Sequence, residues 1–140
     1  MDEKRRKTLV RELCARLPYG VQVRTAVRYK TLDIELLDAI MGGRATFDIL
    51  PLLRPMGSMT DAERAEYNRA ADRDLDRMAD KVGRKLQGDE KLDETLTPYY
   101  EHIDWLLEHH FDYRGLIEMG LALKAPDGMY DNKKYDNGYE

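Results

Sequence analysis

The sequence predicts an α+β fold: three main helices, with a small two- or three-stranded antiparallel element between helices one and two. Apolar residues recur at three- and four-residue spacing in three long windows, the mark of a helix with one buried face. Between the first two windows the pattern changes to alternation, the mark of strands with one wet face. With 140 residues the chain suits one domain. Residues 1–126 are expected to form a single small α+β domain, and 127–140, rich in Asp, Asn, Lys, Gly and Tyr without period, a flexible C-terminal tail.

The first helix is expected from Glu3 to Leu17, where Leu9, Leu13 and Leu17 make one stripe, with Val10 and Cys14 beside it. Pro18 and Gly20 end it. Val21 to Thr25 alternates and reads as a strand. Thr31 to Leu37 is assigned as the second, although Leu32, Leu36, Leu37 and Ile40 also lie on one helical stripe. After Gly42-Gly43, Ala45 to Leu50 supplies a third short strand, and the prolines at 51 and 55 mark an ordered crossover because proline lacks the amide donor. Thr60 and Glu63 form a capping box that opens a helix from Asp61 to Leu86, with Tyr67, Ala71, Leu75, Met78, Val82 and Leu86 as its buried face. A polar linker, Asp89 to Leu96, leads to Thr97-Pro98 and a third helix reaching His110. A break at Asp112 and a short helix from Tyr113 to Met119, capped by Gly120, complete a helical corner.

The composition, 36% charged and 42% hydrophobic, describes a well-solvated chain. Its longest nearly apolar runs, 34–41 and 116–123, fall well below the roughly 20 residues a membrane helix needs. No membrane partner is expected, and with no apolar segment after the charged start a cytoplasmic location is. Charge is uneven: residues 1–58 carry +4 and residues 97–140 carry −5. The lone Cys14 excludes an intrachain disulfide, and its place in the helical pattern reads as a packed thiol.

No phosphate-binding glycine loop or nucleophile elbow occurs, and Ser58 is the only serine. No catalytic residue is assigned, no cofactor is expected, and enzymatic activity is left open. His102 and His109 share a helix face but stand two turns, roughly 10 Å, apart, too far to hold one ion together, so no metal site is expected. Asp72, Asp76 and Asp80 alternate with Arg69, Arg73 and Arg77 as a solvated charge lattice. Lys4, Arg5, Arg6, Lys7 and Arg11 are the candidate nucleic-acid contacts, from which weak or no association is expected in an acidic protein. Trp105, His109, Phe111, Tyr113 and Arg114 concentrate aromatic, imidazole and guanidinium groups around one corner, which suits internal stacking or a protein interface. They are the candidate partner-binding residues.

Three blocks, 13–20, 53–60 and 104–130, resemble a family of small uncharacterised proteins from gut Bacteroides-type bacteria and their phages. The resemblance covers roughly a third of the chain. It implies an origin and a small sheet between the first two blocks, and no catalytic residue. The function expected is that of a protein-binding accessory factor, or a phage-encoded modulator of a host system, with an unidentified protein partner and unknown oligomeric state. The alternative is a nucleic-acid-associated protein using the basic N-terminal patch.

Overall fold

The computed structural model describes residues 3–43, 49–86 and 100–131. They divide into two compact units, one from the residues up to Ser58 and from Leu107 onward, the other from Met59–Leu106.

The first unit opens with α1 (Glu3–Arg16), stopped by a 3₁₀ turn containing Pro18 and by Gly20 at φ +70°, a left-handed conformation that glycine adopts without steric cost. Strands β1 (Gln22–Arg24) and β2 (Tyr29–Thr31) form an antiparallel hairpin in the register Gln22 to Thr31. Helix α2 (Ile34–Met41) follows. Strand β3 (Leu50–Pro55) is the hub of the sheet, antiparallel to β1 and parallel to both β4 (Phe111–Asp112) and β5 (Leu123–Lys124). Leu9 and Leu13 of α1, Val21, Val23, Leu37, Leu53, Leu116 and Leu121 close over one another as the core.

Among the described residues there are four helices of eight residues or more, correcting the expected three. The additional one is α2, which takes most of the window expected to be the second strand. Its cap decides the matter: the Asp33 carboxylate accepts the Leu36 N–H at 2.7 Å, satisfying a donor of the first turn. Leu36, Leu37 and Ile40 then reach the core at helical spacing. The small antiparallel element between α1 and the next helix is present as β1–β2.

The prolines of β3 do not exclude it from the ladder. Arg54 N–H donates to His110 C=O at 2.8 Å and Leu53 C=O accepts from Ala125 N–H at 2.8 Å, so these bonds come from residues between Pro51 and Pro55. The expected third strand at 45–50 falls mostly on 44–48, outside the described residues. The expected short helix at 113–119 is instead a run of turns after β4, with Gly115 and Gly120 at positive φ. The Asp112 carboxylate accepts the N–H groups of Leu116 and Ile117 at 2.8 and 3.0 Å and organises the run. Of the expected tail, 127–131 is described, and Tyr130 packs against the core.

The second unit holds α3 (Asp61–Leu86) and the first turns of α4 (Glu101–Glu108). The capping box is present in both directions: Thr60 N–H to Glu63 Oε1 at 3.0 Å, and Glu63 N–H to Thr60 Oγ1 at 3.1 Å. The expected buried stripe is displaced. Leu75 is 61% exposed and Met78 and Val82 are also exposed, while Ala70 and Asp74 are buried. The buried line thus lies one residue, or 100°, around the helix. The linker 89–96 and the Thr97-Pro98 start lie outside the described residues.

Candidate functional site

The corner from His109 to Arg114 is braced from several elements of the first unit. His110 has φ +64°, the one described non-glycine residue with positive φ, which ends α4 and turns the chain into β4. Its ring stacks on Tyr130 with centroids 3.7 Å apart. The Tyr130 hydroxyl accepts from Gln22 N–H and donates to Leu52 C=O, both at 2.7 Å, and so bridges β1 to β3. Phe111 is fully buried with the Arg54 guanidinium 4.1 Å from its ring centroid.

Behind this corner the α1 pair Glu12 and Arg16 is buried at helical i,i+4 spacing. Arg16 reaches Phe111 C=O at 2.9 Å and Glu12 at 3.3 Å, while Arg114 Nε reaches the second Glu12 oxygen at 2.7 Å. Arg114 also lies against Tyr113, with its guanidinium 5.3 Å from the ring centroid. One carboxylate thus serves two guanidiniums, and Arg16 Nη1 has no protein partner; neither has His110 Nδ1. Burial, with the charges of Arg16, His109 and Arg54 nearby, pushes the His110 imidazole down to about 3, so it is neutral at physiological pH.

These placements sort the candidate partner-binding residues. Phe111 is core, Tyr113 and His109 are half-buried, and Arg114 is exposed at its rim while tied to Glu12. His109 Nε2 stands 3.7 Å from Glu108. Trp105 belongs to the other unit, where its ring meets Tyr67 at 5.8 Å and its Nε1–H faces Glu66 at 3.5 Å. Among the described residues of that unit the buried carboxylate is Asp74, which nothing in the i,i+3 charge pattern singles out. It accepts the N–H groups of Glu101 and His102 at 2.8 Å each, and also meets the His102 ring and Arg77. Burial alone would raise its carboxyl, but these hydrogen bonds hold it well below the usual carboxylate range. Arg73 and Arg77 both pair with Glu101.

The basic N-terminal patch is divided. Arg5 donates to Met119 C=O, and Arg6 donates to the carbonyls of Ile40 and Met41 at 3.3 and 3.1 Å, capping the C-terminus of α2. Lys7 pairs with Glu3 at 3.9 Å, and Lys4 and Arg11 are exposed.

That Arg6 contact sets α1 and α2 side by side and antiparallel, and their seam opens into a depression at each end. One, of about 370 Å³, is lined by Glu3, Arg6, Lys7, Val10, Arg11 and Met41. The other, of about 650 Å³, is lined by Leu17, Pro18, Asp33, Ile34 and Glu35. Ile34 is 72% exposed and Met41 53%, on either side of buried Leu37. Cys14, expected to pack, is exposed on the same side of α1, between the residues that line the two depressions.

No protein-family model, curated protein or solved structure matches the chain. Residue roles therefore rest on geometry alone. Among the described residues no three His, Cys, Asp or Glu side chains gather as a metal site would require, and no helix is long and apolar enough to cross a membrane.

Proposed function

We propose that this chain is a protein-binding accessory factor whose docking surface is the α1–α2 face. The observation that carries the reading is the stripe Ile34–Leu37–Met41, buried at its centre and open to solvent at both ends beside the two depressions. Apolar side chains in recesses with charged rims are what protein interfaces use as anchors. The corner acts from behind: Arg16 and Glu12 tie α1 to β4 and Arg114, which keeps the face rigid and lowers the ordering cost of binding.

A photo-crosslinking amino acid at Ile34 or Met41, with exposed Arg69 of α3 as the control position, tests this. Adducts with protein are expected from the two face positions and not from position 69; equal labelling from all three sinks the reading. The nucleic-acid alternative keeps exposed Lys4 and Arg11 in its favour. Binding to DNA or RNA that survives physiological salt, and is lost on combining Lys4→Glu with Arg11→Glu, would put it first.

A further inference from the structure

We infer that the occupant of the α1–α2 face is a second copy of the same chain, docked about a two-fold axis that crosses α1 near Cys14. The inference rests on the docking reading above and adds the identity of the partner.

The warrant is the distribution of charge along the seam. At one end the depression carries Arg6, Lys7 and Arg11 against Glu3, a surplus of positive charge. At the other it carries Asp33 and Glu35 with no basic lining residue. Part of each set is already engaged: Arg6 caps α2, Lys7 meets Glu3, and Asp33 both caps α2 and lies 3.5 Å from Lys30. Arg11 and Glu35 are the outward charges that remain, one lining each depression. A partner able to cover the whole seam needs acid facing Arg11, base facing Glu35, and apolar groups for Ile34 and Met41.

The chain carries that arrangement itself once turned by 180° across the seam. Each depression then meets the opposite one, Arg11 of one copy faces Glu35 of the other, and Ile34 comes toward Met41. Every such contact is made twice, as two-fold symmetry requires. Complementary charge also fixes the register of docking and disfavours shifted pairings. On α1, Cys14 falls midway between Arg11 and Leu17, which places its thiol closest to the axis. The exposed stripe Leu75, Met78 and Val82 on α3 is the competing surface.

Sedimentation equilibrium on the full chain across the micromolar range is the experiment, with circular dichroism confirming that each variant folds. The wild type is expected to dimerise. Lys7→Glu with Arg11→Glu in one chain, and Glu35→Lys in another, each weaken self-association by about tenfold or more, because every changed contact occurs twice. The equimolar mixture of the two variants restores the dimer, since each chain keeps the end that the other has lost. A wild type that stays monomeric throughout the range overturns the inference, as does a dimer that ignores both variants and is lost on Leu75→Glu. Adducts at Ile34 and Met41 to a different protein would then leave the docking reading standing; absence of adducts to any protein removes both.

Discussion

Glu12 in the first unit and Asp74 in the second are both almost fully buried, yet their charges are met by different chemistry. Asp74 is satisfied largely by backbone: two N–H groups opening α4 point at it, with His102 and Arg77 completing the set. It is a helix cap supplied from a neighbouring helix. Glu12 instead lies between the guanidiniums of Arg16 and Arg114, so the knot around it carries a surplus of positive charge and leaves Arg16 Nη1 without a protein partner. A buried carboxylate is economical where it replaces missing helical bonds. It is far more dependent on its partners where it must neutralise a buried cation.

The largest effect is therefore expected at Glu12. Glu12→Gln keeps the volume and removes the charge that Arg16 and Arg114 share, and urea unfolding should register a loss of about 3 to 5 kcal/mol, the usual result of stranding a buried ion. Asp74→Ala should cost less, about 1 to 3 kcal/mol, because the freed N–H groups open a short helix to water. Hydrogen exchange at Glu101 and His102 should rise while Val23 and Leu53 stay protected; equal loss at both places would mean that the two knots are not separate.

Acid sharpens the comparison further. The His110 imidazole, held near 3 when folded, is neutral where an unfolded histidine takes up a proton. Its stabilising contribution is complete above pH 6.5 and falls as pH drops toward 3, by about 1.4 kcal/mol per pH unit at most. The depressed Asp74 carboxyl contributes fully above its unfolded value near 3.9, and that contribution fades only below it. Near pH 5 the sheet around β3 should loosen while the α4 cap holds, in residue-resolved NMR. His110→Asn, a side chain tolerant of positive φ, should flatten the limb between pH 6.5 and 3.

Local signals in the sequence reached as far as local physics does. The Thr60–Glu63 box and the Pro18–Gly20 stop involve groups within three or four residues of one another, and both stand where expected. The α2 window was undecidable by spacing, since seven residues fit both periods; Asp33 before it was the signal that could have settled it. The α3 face is displaced from its sequence stripe because Leu75, Met78 and Val82 are core-like by type, whereas burial follows Ala70 and the carboxylate of Asp74. Strands β4 and β5 were invisible, since two-residue strands have no periodicity and exist only through β3. Of the candidate site, spacing alone shows the apolar and charged residues of α1 as a core stripe and a wet side. That they make one seam with α2 depends on Arg6 reaching carbonyls 34 and 35 residues away.

The hydroxyl of Tyr130 closes a bond with a residue 108 positions earlier in the chain. During synthesis, Gln22 and β1 emerge from the ribosome long before β4, β5 and that phenol exist to complete the sheet around β3. The first unit must wait while the whole stretch 59–106 is made, holding Val23 and Leu53 without their final neighbours. High sequence separation of this kind slows folding and prolongs the exposure of strand edges, so the nascent chain is most vulnerable to mispairing just before the turn that carries Tyr130 appears.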